Sequence, residues 1–403
     1  MNKPLKGLKV LELATYVAGP ACTRALADWG ADVIKVENPN GDALRRVGFN
    51  TKMPTDPEEN PCFDLSNMGK RGIVINLKSD EGKHVMDKLL VQADIFVTNN
   101  RTKSLKKMGM DYETLKERFP RLIYAQSVGY GEKGALKDTP GFDFTSYYAR
   151  GGLLGTFYEK GTSPINPVPQ FGDNQVAMEL AAGILAAVYR RQTTGLGDKV
   201  TVSLYHAAIY DFNLVITSSQ YGFNYPISRK DAGNPFLNTY PTKDGRWLQL
   251  ACPEYDRMFP KVMQAIDRTD LIDNDSYNNV KAITGHTREM IEIVEQQMMQ
   301  RTVNEWLEIF AKFDIPCEKA YLWEEILDDP EARENDFIHE MHYKTGNVRK
   351  LVDTPVKFSS MPSVTHARGP KFGEHTKEVM ETLGYSEDQI KEMVDHNVII
   401  MGS

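Results

Sequence analysis

Residues 8–37 read LKVLELATYVAGPACTRALADWGADVIKVE, and the order of their apolar and turn residues decides the fold. LKVLELA (8–14) alternates like a strand. A short turn at Val17-Ala18-Gly19-Pro20 leads into a helical pattern through ACTRALADWGA, with Pro at the helix start. DVIKVE (32–37) then reads as a buried parallel strand. Strand, helix and strand in one such stretch make a βαβ unit, the opening of an open α/β sheet. The texture continues, with strands predicted at 72–77, 94–98 and 122–128 and helices at 80–92 and 111–118. The fold expected is α/β, with a Rossmann-like, doubly wound parallel sheet.

Further along, Val176, Leu180, Ile184 and Val188 recur every four residues and predict a long helix over 174–193. Gly195 and Gly197 stop it. A short strand at 199–203 and another helix come next. Gly, Asn and Pro accumulate over 222–235. Beyond them Lys243-Asp244-Gly245-Arg246 carries an Asp-Gly hairpin signal, and 255–313 is polar and helical. This middle stretch reads as a separate, smaller domain. The pattern becomes mixed again from about 325, with a helix near 374–383.

The 403 residues hold 48 Lys and Arg against 55 Asp and Glu, a net charge of −7, so a nucleic-acid role is not expected. No apolar run reaches the ~18 residues of a membrane span, so no membrane association is expected. The start, MNKPLKGLKVLELATYV, is interrupted by Lys9 and Glu12 and reads as a strand, not a signal peptide. Cys22, Cys62, Cys252 and Cys317 form no CxxC pair, and the eight histidines show no ligand spacing. A cytoplasmic protein without a metal is expected. The charge is uneven. Residues 1–150 hold 23 basic and 19 acidic side chains, leaving 25 and 36 for the rest. A basic N-terminal part suits a phosphate-bearing small molecule; chance clustering on solvated faces is the plainer explanation.

Gly129-Tyr130-Gly131-Glu132-Lys133-Gly134 is a literal GxGxxG after a predicted strand. A dinucleotide site needs a helix to open there. The stretch from Ala135 to Gly141 reads as a loop instead, so a nicotinamide site is not expected. Gly172-Asp173 stands at the head of the long helix. Asp is a favoured N-cap, which alone would account for Asp173; the functional alternative is an ionised carboxylate acting as a nucleophile. Asn99-Asn100 come directly after a strand and are placed to line a ligand crevice or simply to end the strand. Lys70-Arg71, Lys78, Arg101, Lys103, Lys106 and Lys107 read by default as solvated charges.

Several stretches together resemble one family. These are 5–46, NMGKRGIVINLK (67–78), ADIFVTNNR (93–101), 108–134, PGFD (140–143), GD (172–173) and TGLGDKVTVSL (194–204). In the second half they are TKDGRWLQLA (242–251), DIPCEKA (314–320) and GEHTKEVM (373–380). In order and over nearly the whole chain they resemble the class III CoA-transferases (the formyl-CoA transferase or CaiB/BaiF type). YEKG (158–161), ARGG (149–152) and TGLGDKVTVSLYHAA (194–208) look most like the 2-hydroxyacyl-CoA transferases of amino-acid fermentation, including the 2-hydroxyisocaproate and phenyllactate enzymes.

The resemblance implies a large Rossmann-like domain built from residues 1–224 and 326–403. A smaller α+β domain would be inserted at 225–325, and two subunits would interlock as a homodimer. It implies no permanently bound cofactor, with CoA thioesters and carboxylic acids as substrates, and a functional link to a 2-hydroxyacyl-CoA dehydratase. It places the catalytic carboxylate on Asp173, which would pass CoA from an acyl- or enoyl-CoA to a 2-hydroxy acid through an anhydride and an aspartyl-CoA thioester. CoA contacts are implied at Val17, Ala18, Asn38, Ile75, Asn76, Leu77, Lys78, Asn99, Asn100, Lys107, Gly141, Phe142 and Asp143, with Lys78 and Lys107 at phosphates. The chain departs from some members in having Val17 for Gln and Asn38 for Arg. It also lacks their consecutive-glycine loop; Gly233-Asn234-Pro235-Phe236 stands in a comparable place. Val17, Phe142 and Phe171 agree with an apolar acyl side chain, although core packing would also explain the phenylalanines. The alternatives are transfer to another carboxylic acid, or α-methylacyl-CoA racemase chemistry. The latter needs a His where Phe142 stands.

Overall fold

The computed structural model describes residues 3–361 and 367–402. The chain divides into two compact units. The first comprises residues up to 153, 166–216 and 330 onward; the second comprises 154–165 and 217–329.

The first unit is built on a seven-stranded sheet. Its strands are β1 (Lys9–Leu13), β2 (Asp32–Glu37), β3 (Arg71–Ile75), β4 (Ile95–Thr98), β5 (Ile123–Val128) and β6 (Lys199–Ser203), together with a short C-terminal strand, Ile399–Ile400. Across the sheet the order is that C-terminal strand, then β3-β2-β1-β4-β5-β6. All neighbours are parallel except the C-terminal strand, which runs antiparallel to β3. Two residues carry too little pattern to read as a strand; β3 supplies its pairing.

Alternation along the strands loads both faces of the sheet. Leu11, Leu13, Ile73, Ile75, Phe96 and Tyr124 point to one side, where Val85, Leu89 and Leu90 of the helix Asp80–Gln92 meet them. Val10, Val33, Ile95, Val97, Ile123 and Ala125 point to the other side, against the helices Ala18–Asp28 and Phe171–Thr194. Ala25, Ala177 and Ala181 are fully buried there, small enough to let those two helices approach closely. An antiparallel hairpin, Ile338–His342 with Val348–Val352, completes the unit.

The second unit has its own core. Leu237–Pro241, Trp247–Ala251 and Cys317–Lys319 form an antiparallel three-stranded sheet. The expected hairpin turns at Thr242–Arg246, with Gly245 at φ +74°. Helices Tyr255–Ala265, Thr287–Met298 and Val303–Lys312 cover the sheet, burying Phe259, Val294, Trp306 and Phe310. Gly233–Phe236 is a packed turn of this unit: Asn234 Nδ2 donates to the Cys252 carbonyl at 3.0 Å, and Phe236 is fully buried. Segment 154–165, expected from sequence in the large domain, groups with this unit. Among the described residues, no helix is long and apolar enough to cross a membrane.

Candidate active site

The sheet order fixes where a ligand can enter. From β1 the chain moves outward to β2 and β3, then returns to β4 on the other side of β1. The loops after β1 and β4 therefore diverge, leaving a crevice at their carboxyl ends. A cavity of about 330 Å³ lies there. Its wall comprises residues 15–18 after β1, residues 99–102 after β4, residues 127–129 at the end of β5, and parts of 137–142. Asp173 is the one carboxylate lining it among the described residues, and no histidine does.

Two sets of interactions hold the β1 loop. The Asn99 side chain clasps Thr15, accepting from its N–H at 3.0 Å and donating to its carbonyl at 2.6 Å. Asn100 Nδ2 donates to the Leu13 carbonyl at 3.0 Å. The asparagines thus both end the strand and shape the crevice wall. Beneath the loop lies a buried charge network. Glu12 accepts from Lys35 and Lys70, each at 2.7 Å, and from the Thr23 hydroxyl at 2.5 Å. Lys35 also pairs with Asp42 at 2.9 Å. The network grips the loop backbone: Lys35 donates to the Ala14 carbonyl, Lys70 to that of Pro20, and Asp42 accepts the Tyr16 N–H at 3.0 Å. Tyr16 is held at φ +60°, a left-handed conformation uncommon outside glycine. Its ring meets Phe142 edge to face, with centroids 5.9 Å apart. Lys70, read from sequence as solvated, is instead buried, and Arg71 pairs with Asp32 and Glu378.

The first glycine of the GxGxxG has a packing role. A Cβ on Gly129 would stand 2.6 Å from the Gly141 Cα, so the two loops touch backbone to backbone. Residues 143–149 form a π-helical turn.

Asp173 is not the N-cap that its sequence position suggests. The long helix begins at Phe171, three residues earlier than its apolar period indicates, and Asp173 is its third residue. Gln170 is the N-cap at φ +71° and makes no side-chain capping bond. The cap comes from outside: Asp143 Oδ1 accepts the Gly172 N–H at 3.1 Å. Among the described residues, the Asp173 carboxylate accepts no hydrogen bond. Burial, and then the charge of Asp143, push its pKa up to about 7. Burial also pushes Asp143 up to about 6, against the lowering effect of the amides of Gly172, Gln170 and Phe171.

A second cavity, about 320 Å³, shares Thr102 and Lys137 with the first. Lys103, Lys106 and Lys107 also line it, opposed by Glu132 and Asp138. Four ammonium groups around one concavity suit a polyphosphate. The cluster is assembled from the helix Thr102–Met108 and the loop that carries Lys137, so single positions read as scattered surface charge.

The residues implied by sequence divide accordingly. Val17, Ala18, Asn99, Asn100, Gly141, Phe142 and Asp173 line the first cavity, and Lys107 the second. Asn38, Ile75, Asn76, Leu77 and Lys78 line neither; they stand at the carboxyl ends of β2 and β3. Asn38 Oδ1 accepts the Asn40 N–H, and the Ile75 and Leu77 side chains are in the core. Asn76 Nδ2 donates to the Asn397 carbonyl, while Lys78 is exposed. Asp143 is buried behind the wall, and Phe171 packs on Tyr147 and Tyr148 without lining the cavity. Tyr16, Thr102, Ser127 and Lys137 also line it, and sequence reasoning missed all four. For the first three the available signal is their position at or just beyond a parallel strand's carboxyl end. The described residues hold no cluster of three metal-ligating side chains.

Residues 5–376 match the family model described as CoA-transferase family III. The chain is 45% identical to (R)-2-hydroxy-4-methylpentanoate CoA-transferase of Clostridioides difficile, covering 98% of this chain and 99% of that one. It is 47% identical to cinnamoyl-CoA:phenyllactate CoA-transferase of Clostridium sporogenes, covering 96% and 95%. Among solved structures, a CaiB/BaiF family protein from Brucella suis superposes with a TM-score of 0.80 at 27% identity, covering 95% of this chain and all of that one.

Proposed function

The chain belongs to CoA-transferase family III, and from that premise we propose that Asp173 carries CoA from an acyl- or enoyl-CoA to a 2-hydroxy acid with an apolar side chain. The observation that carries this reading is that Asp173 is the single carboxylate in the crevice wall among the described residues. An Asp173 oxygen attacks the thioester carbonyl; the C–S bond breaks and CoA thiolate leaves, giving an aspartyl-acyl anhydride. The thiolate attacks the Asp173 carbonyl carbon and expels the donor acid, leaving an aspartyl-CoA thioester. The acceptor carboxylate attacks that carbon, thiolate leaves again, and its attack on the acceptor acyl carbon frees the Asp173 carboxylate. Both ends of the reaction are thioesters, so the protein's task is to stabilise the oxyanions and keep water from the anhydride.

The lysines of the second cavity suit the phosphates of CoA, and Val17 and Phe142 suit an apolar acyl chain. The similarity to the two 2-hydroxy acid enzymes favours that acceptor class. Racemase chemistry needs an acid–base pair, and Phe142 stands where its histidine would be. We read the second unit, which contains the 225–325 expected from sequence, as the inserted domain of a cytoplasmic homodimer that holds no permanent cofactor. A dehydratase acting on the 2-hydroxyacyl-CoA is the proposed consumer of the product.

A panel of acceptors separates these readings. With cinnamoyl-CoA as donor, (R)-phenyllactate or (R)-2-hydroxy-4-methylpentanoate is expected to exceed oxalate and malate in kcat/KM by about 100-fold or more. Preference for oxalate would overturn the acceptor assignment. Deuterium entering Cα of a 2-methylacyl-CoA without transfer would favour the racemase.

A further inference from the structure

We propose that Asp143 is a positioning residue for the transfer, clamping the first turn of the helix Phe171–Thr194 so that Asp173 faces the crevice, and that it makes no contact with CoA. This rests on the reading of Asp173 as the nucleophile.

The clamp is made of short-range contacts. Asp143 is buried and opens the π-helical turn Asp143–Ala149, directly after Phe142 in the crevice wall. Its Oδ1 takes the Gly172 N–H at 3.1 Å. The fit is tight: a Cβ on Gly172 would lie 2.6 Å from that oxygen and 2.2 Å from Tyr147 Cγ. Tyr147 is anchored in turn, its hydroxyl donating to Asp211 Oδ2 at 2.6 Å. Gly172 immediately precedes Asp173, so the clamp acts one residue from the reacting carboxylate. The arrangement ties Phe142 and Asp173 to one buried group.

The clamp also sets the charge environment. An open helix N-terminus stabilises a nearby anion. Here those amides face Asp143, and its charge opposes ionisation of Asp173. Tyr147 and Tyr148 on the π-helical turn stand beside Asp143, and Asp211 and Glu179 act on Tyr147 from beyond it. Arg101 and Lys137 line the cavity with Asp173. Asp143 thus keeps Asp173 basic, which favours attack on the thioester.

Two variants test this. Asp143→Asn keeps an oxygen for Gly172 and removes the charge. Its acid limb in the pH profile of kcat/KM is expected about one unit lower than the parent's. Asp143→Ala removes both, and kcat is expected to fall about 100-fold with KM for acyl-CoA within about threefold. A raised KM with unchanged kcat in the Ala variant would make Asp143 a CoA contact and overturn the proposal. So would an acid limb unmoved in the Asn variant, which decides the matter by itself if the Ala variant does not fold. Hydroxylamine trapping of the parent separates the two readings. Trapping at Asp173 at parental rates in both variants overturns the clamp alone. No trapping at Asp173 in the parent overturns the nucleophile and the clamp together.

Discussion

Asp173→Asn is expected to lose CoA transfer by at least about 10⁴-fold and to melt higher than the parent at pH 8. The first effect arises if the carboxylate forms the covalent intermediates, because an amide oxygen is a far poorer nucleophile. The second arises from its surroundings. Burial and Asp143 raise the folded-state pKa from 3.8 to about 7. Folding therefore disfavours the ionised form. The penalty is absent below about pH 4, where both states are protonated, grows as pH rises towards 7, and is complete above it. Each unit is worth about 1.4 kcal/mol; allowing for solvent screening of a part-exposed group, the variant gains about 2 kcal/mol. Melting curves at pH 4 and pH 8 check this: a gain of a few degrees at pH 8 that vanishes at pH 4. A plain N-cap would give no such gain, since Asn caps about as well as Asp.

Lys70→Met is expected to carry the largest stability cost. The ammonium group meets Glu12, the Pro20 and Ser66 carbonyls and the Asn67 amide oxygen, all within 3.0 Å. Methionine fills similar space but leaves those acceptors buried and Glu12 with one cation fewer. Breaking a buried pair from one side costs about 3–5 kcal/mol. Denaturant unfolding measures it. Adding Glu12→Gln to Lys70→Met is expected to recover part of the loss, because the two sites share one network. A Lys70→Met variant as stable as the parent would contradict the network. Burial pushes the Glu12 pKa up, but Lys35 and Lys70 overcome it and hold it at about 2. A lowered carboxylate pKa gives stability that is present above about pH 4.5 and lost as pH falls towards 2. The network also holds Ala14, Tyr16 and Pro20, so its loss is expected to reach the crevice.

Local pattern was enough for the six parallel strands of the sheet and for the helices of ten residues or more. The βαβ opening at 8–37 and the strands through Val128 are legible from period and turn residues, because both faces of each strand are buried. The features that needed tertiary structure are those whose cause lies elsewhere in the chain. The long helix starts at Phe171 because Asp143 caps it. Lys70 is buried because β1 supplies Glu12. The lysine cluster forms only when residues 102–107 and 137 meet. Asp173 is instructive in another way: its own pattern favoured a cap, and only resemblance across many segments pointed to chemistry. The crevice itself was legible in outline, since Val17-Ala18 and Asn99-Asn100 come just after adjacent parallel strands. What they touch was not, because strand order is a property of the folded sheet.

The most direct test of Asp173 as the carrier of CoA is to incubate the protein with an acyl-CoA and no acceptor, trap with hydroxylamine, and map the modified peptide by mass spectrometry. A hydroxamate at Asp173, formed only with acyl-CoA and absent from Asp173→Asn, is the predicted result. Transfer proceeding with no modified carboxylate, or with the modification on any other residue, would contradict it.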